Sequence, residues 1–479
     1  MAESLKNKTV KGVLWSAMER FSVQGVSFVV MIFMARLLTP KDYGLIGMLA
    51  IFLAVSQSLV DSGFSQALIR KQDRTEVDNS TVFYFNIVVG IVMYLILFAC
   101  APFIADFYNE PQLVAITRVV GLSVFLNSLV VVQRALLTVK IDFKTQAKAG
   151  IIAAVTSGAI GISAAYMGYG VWAIVLQQLT NLSVNVILLW ILSKWKPIWA
   201  YSWASFRNLF GFGSKLLASG LLETVYRNIY QIVIGKVFSA SDLGYYTRAH
   251  QFSDFPSSNV SGIMQRVTYP VLCSIQDDDI RLANVYRRFL RLSAFVVFPL
   301  MLGLAAVAKP FILVLLKEQW LFSATLLSII CFQMMWYPIH AINLNLLQVK
   351  GRSDLFLKLE IWKKVVGVAI LVVTIPMGLV AMCVGGIISS IISLIINTHY
   401  TGKLIQLGFI KQMKDLSGVL ALSLTMGALV YWVISLMTGY AAIVQLMTGI
   451  LVGALYYILI AFLCKMQEWN ELIGLIRKK

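Results

Sequence analysis

The sequence predicts an all-α polytopic membrane protein that crosses the bilayer about fourteen times, with both termini in the cytoplasm. Three observations support this fold class. The 479 residues are 59% hydrophobic and only 13% charged, the apolar stretches are long enough to span a bilayer, and the basic residues gather in every second connection. Soluble domains carry about a quarter charged residues, so an ordinary soluble protein is excluded.

The form of the apolar stretches favours helices over strands. Backbone polar groups in lipid must be satisfied within the protein, which restricts spanning segments to helices and closed barrels. Barrel strands alternate apolar and polar residues, whereas segments such as 365–375 and 446–463 are continuously apolar. The first stretch, 12–35, is longer than a signal-peptide core, and we expect it to remain as the first span.

Windows of about 20 residues with few charges locate the predicted spans. They cover residues 12–35, 43–69, 82–105, 113–137, 151–166, 171–192, 210–235, 244–272, 290–316, 324–349, 357–376, 380–400, 416–437 and 441–464.

The basic residues indicate the orientation, since Lys and Arg in short loops stay cytoplasmic. Every second connection is rich in them, whereas the connections on the other side hold only Arg36, Lys41, Lys236 and Lys317. One miscounted helix would reverse the alternation from that point on, so the charges support the count and the cytoplasmic termini. The net charge of +18 is therefore an orientation signal and a fit to anionic membrane lipid, and no nucleic-acid partner is expected.

An internal repeat divides the chain. Residues 35–44 (ARLLTPKDYG) are echoed by 235–244 (GKVFSASDLG), and 136–140 (LLTVK) by 346–350 (LLQVK), with an offset that grows from 200 to 210 residues. Each repeat holds six spans. An even number returns the chain to its starting side, so the halves are parallel repeats related by an axis along the membrane normal.

This repeat predicts four regions of the chain. Residues 1–195 form an N-lobe of six helices, 196–405 a C-lobe of six, 406–465 two further helices, and 466–479 a cytoplasmic interfacial tail. Two lobes around a central cavity suit alternating access, in which the lobes move about a midplane site.

Several chemistries are disfavoured. The short outer loops leave no room for the catalytic residues of a membrane glycan polymerase or ligase. The segment 211–215 (GFGSK) has the wrong spacing for a nucleotide-binding loop, and the five cysteines are scattered through apolar segments. We therefore expect no enzyme activity, no catalytic residues, no metal and no cofactor.

Polar and ionisable residues inside spans are functional candidates, because charge at membrane depth is costly. Five could line a substrate cavity, since guanidinium groups suit phosphate geometry: Arg20, Gln24, Arg118, Arg227 and Arg248. Four carboxylates could couple transport to an ion: Glu19, Asp61, Glu223 and Asp254. Most of the nine lie in spans one, two, seven and eight, which are equivalent positions of the two lobes. The competing interpretation is internal ion pairing that stabilises helix packing.

Residues 12–15 (GVLW), 35–44 and 61–69 (DSGFSQALI) resemble the bacterial Wzx-type polysaccharide flippases of the multidrug/oligosaccharidyl-lipid/polysaccharide (MOP) superfamily. The resemblance covers essentially the whole chain. It implies movement of an undecaprenyl-diphosphate-linked oligosaccharide from the cytoplasmic to the outer leaflet of the bacterial plasma (inner) membrane. The product would serve O-antigen, capsule or exopolysaccharide biosynthesis.

The resemblance also implies partners and leaves alternatives open. Transport would be coupled to H⁺, Na⁺ or the membrane potential, and glycan-assembly proteins are further candidate partners. A MATE-like drug/cation antiporter of the same superfamily is one alternative, with twelve spans and a carboxylate-rich cavity. The others are a membrane glycan polymerase or ligase and a scaffold for a glycan-assembly complex that does not itself transport.

Overall fold

The computed structural model describes residues 22–477, apart from the side chains at 215–216, 353, 472–473 and 475–477. Within that range every regular element is a helix and no strand occurs. The predicted all-α class is confirmed.

The helices of the first half connect through short turns. They are α1 (Ser22–Leu37), α2 (Pro40–Asp61), α3 (Phe64–Arg70), α4 (Glu76–Tyr108), α5 (Leu113–Val120), α6 (Leu122–Ser128), α7 (Val131–Val139), α8 (Phe143–Tyr166), α9 (Val171–Ser193) and α10 (Trp203–Val237).

The second half continues in the same way, with short 3₁₀ turns at Glu318–Trp320 and Ile375–Met377. Its helices are α11 (Ala240–Cys273), α12 (Asp279–Ala306), α13 (Ala308–Leu316), α14 (Leu321–Met334), α15 (Tyr337–Val349), α16 (Ser353–Thr374), α17 (Leu379–Ile405), α18 (Phe409–Leu436), α19 (Ala442–Leu463) and α20 (Gln467–Arg477).

Ten helical segments within residues 22–477 are long and apolar enough to cross a membrane. The chain is therefore a multi-pass membrane protein. The other four predicted spans fall on α1, whose described part is short, and on α10, α11 and α16, which carry charged residues along their length. The count of about fourteen crossings and the cytoplasmic termini stay predictions.

The repeated motif builds the same helix start twice. At the start of α2, Thr39 Oγ1 accepts from the Asp42 amide at 3.3 Å, while Asp42 Oδ2 accepts from the Thr39 amide at 2.8 Å. At the start of α11, Ser239 and Asp242 make the same pair of bonds at 3.1 and 3.2 Å. Each capping box satisfies amide groups that a helix N-terminus leaves without partners.

The chain divides into two compact units, one ending at Gly244 and one beginning at Tyr245. In the first unit α10 packs along α2 and contacts α3 and α4. The division into lobes at residues 195 and 196 stays a prediction.

Two glycines let the repeated motifs touch within the first unit. A Cβ atom on Gly44 would lie 1.6 Å from the carbonyl oxygen of Ala240, and one on Gly244 would lie 1.9 Å from that of Pro40. Each glycine thus contacts the first turn of the other helix, and no side chain fits at either position. The contact is reciprocal, as the sequence repeat is.

A buried polar network joins four helices of the second unit. Gln412 on α18 lies within hydrogen-bond distance of Asn343 Oδ1 on α15 at 3.1 Å and of Thr401 Oγ1 on α17 at 3.1 Å. It also reaches the hydroxyl of Tyr286 on α12 at 3.4 Å, and all four side chains are at most 1% exposed. Buried polar groups need such partners, since leaving one unpaired is costly.

The tail helix α20 contacts α12 through opposite charges. Glu471 accepts from Arg288 Nε at 2.7 Å, and Glu468 lies 3.3 Å from Arg291 Nε. A third arginine of α12, Arg287, donates twice to Asp415 on α18, at 2.6 and 2.5 Å. The tail is therefore attached to the second unit by its acidic residues, whereas its position at the membrane interface stays a prediction.

We expect alanine at Gly44 or Gly244 to destabilise the protein, because the added methyl group would overlap a backbone carbonyl. Overpacking of this kind costs about 1–3 kcal/mol. Each variant should therefore unfold at a lower temperature than the parent protein in detergent. Gly220→Ala and Gly262→Ala are matched controls, because a Cβ atom there meets nothing within 4 Å. Parental melting of both Gly44→Ala and Gly244→Ala would refute the close contact.

Gln412→Leu should also lower the unfolding temperature, because it removes the common partner of Asn343, Thr401 and Tyr286. Hydrogen bonds inside membrane proteins contribute about 0.6 kcal/mol on average, so the loss of several should amount to about 1–2 kcal/mol. Gln348→Leu, on the exposed face of α15, serves as the control. Equal thermal unfolding of the two variants would show that the network does not stabilise the second unit.

Candidate functional site

The structure locates seven of the nine site residues predicted from the sequence, since Glu19 and Arg20 lie outside the described residues. Five belong to the first unit and two to the second. The first group is Gln24 on α1, Asp61 at the end of α2, Arg118 on α5, and Glu223 and Arg227 on α10; the second is Arg248 and Asp254 on α11.

Arg118 packs against an aromatic ring. Its guanidinium carbon lies 4.4 Å from the ring centroid of Phe98 on α4. Its Nε is buried without a hydrogen-bond partner, and no carboxylate lies within ion-pair distance of it among residues 22–477. For Arg118 the interpretation as an internal ion-pair partner is therefore not supported within the described part of the chain.

The remaining first-unit candidates have diverse surroundings. Gln24 is partly buried, and its Oε1 has no hydrogen-bond partner in the described region. Asp61 accepts a hydrogen bond from Ser65 Oγ at 2.5 Å. Glu223 and Arg227 lie one turn apart on an exposed face of α10.

The two second-unit candidates lie on α11. Arg248 is only 7% exposed and donates from Nη1 to Gln251 Oε1 at 2.5 Å. Asp254 is partly buried, six residues further along the helix. That these residues share one cavity with the first-unit candidates stays a prediction.

The structure brings together a different set of polar residues inside the first unit. Arg134 on α7 donates from Nη1 to Asn127 Oδ1 on α6 and from Nη2 to Asn185 Oδ1 on α9, both at 3.1 Å. Asn127 Nδ2 in turn donates to Gln57 Oε1 on α2 at 2.5 Å. We call these four residues the Arg134 network. All four lie within segments long and apolar enough to cross a membrane.

The charge of this network is not balanced by an acid. Arg134 is partly buried and makes no ion pair with any carboxylate in residues 22–477. Its partners are neutral amide oxygens, which occupy two of the five N–H donors of a guanidinium group. The first unit thus holds a positive charge inside a predicted span, with donors left for a further acceptor.

A break in the helix positions Arg134. The predicted fourth span is divided into α5, α6 and α7, with a turn at Leu129 and Val130. Trp190 on α9 donates its indole N–H to the Leu129 carbonyl at 3.0 Å. This bond gives a partner to a carbonyl at the break, as the low-polarity environment requires.

Arg134 is not among the nine site residues predicted from the sequence. Its network depends on the break between α6 and α7, which hydropathy does not show. A signal was present, however, because Gln57, Asn127 and Asn185 place amide side chains inside otherwise apolar spans. Such residues form hydrogen bonds between membrane helices.

His340 on α15 uses both ring nitrogens in hydrogen-bond contacts. Nε2 lies 3.0 Å from Ser390 Oγ, and Nδ1 lies 3.2 Å from Asn397 Nδ2, both on α17. These contacts agree with a role in hydrogen bonding between helices. In the described part of the chain no three His, Cys, Asp or Glu side chains are grouped so that they could hold a metal ion.

Comparison with known proteins identifies the family. The model of a family described as "Polysaccharide biosynthesis protein" matches residues 33–325. The teichuronic acid biosynthesis protein TuaB of Bacillus subtilis is 26% identical over 354 residues, which cover 74% of this chain and 73% of that protein. The lipopolysaccharide biosynthesis protein WzxC of Escherichia coli is 25% identical over 401 residues, covering 82% and 80% of the two chains.

Solved structures show the same fold. The lipid II flippase MurJ in an inward closed conformation matches with a TM-score of 0.71 and 14% identity, over 94% of this chain and 99% of that one. An inward-facing MATE multidrug transporter of the MOP superfamily matches with a TM-score of 0.63 and 12% identity, over 82% and 99%. The similarity to WzxC confirms the resemblance to Wzx-type polysaccharide proteins, and the chain belongs to the polysaccharide biosynthesis protein family.

Proposed function

We propose that this protein moves an undecaprenyl-diphosphate-linked oligosaccharide from the cytoplasmic to the outer leaflet of the bacterial inner membrane. The observation that carries the proposal is the match to a lipid II flippase over 94% of the chain. The family match and the similarity to polysaccharide biosynthesis proteins support a glycan as the cargo. The oligosaccharide headgroup is polar and cannot cross about 30 Å of hydrocarbon unaided.

The extent of the structural matches supports the flippase over the drug/cation antiporter. The MATE transporter aligns with 82% of this chain, which leaves a larger part unmatched than the flippase does. A fold with two helices beyond twelve would give this difference. The succinoglycan biosynthesis transport protein ExoT of Rhizobium meliloti, 25% identical over 334 residues, adds a relative whose name combines a glycan with transport.

In this proposal the substrate-binding residues are Arg20, Gln24, Arg118, Arg227 and Arg248. Guanidinium groups bind phosphate oxygens through paired, charge-assisted hydrogen bonds. Arg118 supports this role because it has no acidic partner within the described residues. Alternating access of two lobes would open the binding site first to the cytoplasmic side of the membrane and then to the outer side.

The membrane potential could drive the step without a coupling ion. A diphosphate is anionic, and its outward movement runs from the negative to the positive side of the membrane. Each elementary charge that crosses gains about 2.3 kcal/mol per 100 mV. Glu19, Asp61, Glu223 and Asp254 remain the proposed sites for H⁺ or Na⁺ if an ion gradient contributes.

We expect lipid-linked repeat units to accumulate in the cytoplasmic leaflet of a strain that lacks this protein. Without a flippase, the assembled units cannot reach the outer leaflet. Lipid extraction with mass spectrometry would measure the accumulation, and restoring the gene should abolish it. A deletion strain that accumulates no such lipid but becomes sensitive to cationic drugs would favour the antiporter instead.

Replacing the cavity arginines by alanine should abolish complementation of that strain at normal expression. Arg20→Ala, Arg118→Ala, Arg227→Ala and Arg248→Ala each remove a proposed phosphate contact, and the lysine variants should retain part of the activity because they keep the charge. Arg352→Ala is the control, since Arg352 lies in an exposed turn and pairs with Asp354. Full activity of all four alanine variants would eliminate these residues as the substrate site.

A further inference from the structure

We infer that the Arg134 network is a binding site for the diphosphate of a polyprenyl lipid, an inference that rests on the proposed function. Its core is a cation inside a predicted span whose hydrogen-bond partners are neutral. Charge at membrane depth is costly and marks substrate pathways when it is not cancelled internally. An anionic headgroup is the ligand that would balance it.

The network orients its own dipoles. Gln57 Nε2 donates to the Ser123 carbonyl at 3.4 Å, and Gln57 Oε1 accepts from Asn127 at 2.5 Å. The amide nitrogen of Asn127 is thereby engaged, which leaves Asn127 Oδ1 as the acceptor for Arg134. The side-chain amide oxygens of Gln57 and Asn127 therefore point along this series of hydrogen bonds towards the guanidinium group of Arg134. They stabilise its charge without neutralising it, as a preorganised anion site requires.

The Arg134 network lies beside a buried apolar cluster. The residues next to the helix break contribute to an apolar cluster that includes Val130, Leu137, Val186 and Leu189, each at most 8% exposed. Arg134 shares α7 with Leu137, and Asn185 shares α9 with Val186 and Leu189, while Val130 lies in the turn before α7. Because these side chains are already buried, they lower the polarity around the guanidinium, and its attraction for an anion is stronger there than in water. That the anion is attached to a polyprenyl lipid follows from the proposed function.

The competing explanation is that the Arg134 network only holds helices together. One substitution distinguishes this structural role from anion binding. Asn185→Asp would place a carboxylate where the amide oxygen now accepts from Arg134 Nη2. If the role is structural, this change would keep or strengthen the contact between α7 and α9, since an ion pair replaces a neutral hydrogen bond. An anion site would instead lose its net charge and its ligand.

Binding is measured with the full-length protein in nanodiscs of zwitterionic lipid, with undecaprenyl diphosphate as the probe. We expect Asn185→Asp and Arg134→Gln to weaken binding about tenfold or more, because each removes a charge-assisted interaction. Arg134→Lys should retain an intermediate affinity. Thermal unfolding of Asn185→Asp should match or exceed that of the parent protein, which shows that any loss is not a folding defect.

Two controls complete the design. Asn181→Asp introduces the same change one turn earlier on α9, where Asn181 contacts Ser157, and it should leave binding unchanged. Phosphatidylglycerol, an anionic lipid with a single phosphate, should compete poorly. Parental affinity of Asn185→Asp and Arg134→Gln, or equal competition by phosphatidylglycerol, would overturn the inference.

The outcome is distinguishable from failure of the proposed function. If the deletion strain accumulates no lipid-linked units but binding still depends on Arg134, the transport proposal fails and the diphosphate site stands. If the strain accumulates them and Arg134→Gln both complements and binds as the parent does, the site fails and the transport proposal stands.

Discussion

Backbone polar groups in the hydrocarbon region must find their partners within the protein, and this constraint governs the structure. It restricts the described chain to helices. It also explains why the Leu129 carbonyl, at the break in the fourth span, accepts a hydrogen bond from the indole of Trp190. The cost of leaving a buried polar side chain unpaired explains the amide clusters around Gln412 and Arg134, where each side chain satisfies its neighbour. The two clusters differ in one respect. The Gln412 network is neutral and suits a structural role, whereas the Arg134 network carries a positive charge.

Much of the fold could be predicted from the sequence because the bilayer simplifies the problem. Hydropathy identified the helices, and the multi-pass character follows from the length and composition of ten of them. The repeat of 35–44 in 235–244 corresponds to two related helix starts, since capping boxes at Thr39 and Ser239 begin both helices in the same way. These features depend on local sequence and can therefore be recognised from the sequence alone. Spans were also predicted at α10, α11 and α16, but charged residues lower the mean hydropathy of these helices and they are not among the ten.

The site was less predictable, for reasons of geometry. Arg118 was found by its position inside a span, yet its stacking on Phe98 depends on how α5 lies against α4. The Arg134 network was not predicted, because nothing in a hydropathy profile shows that a span breaks at Leu129 and directs a guanidinium back towards Asn127. Pairwise contacts between separate helices, such as the one with Asn185, involve residues 51 positions apart. A single sequence does not reveal such pairs.

The close approach of the two repeated motifs has a consequence for the residues that they can carry. Each glycine faces the carbonyl of the other's first helical turn, so the contact is isologous, with the same patch on both sides. Isologous contacts are the usual mode of association in two-fold symmetric homodimers. Neither motif can acquire a side chain here without overlapping the backbone of the other, so the same restriction acts on both copies of the repeated motif.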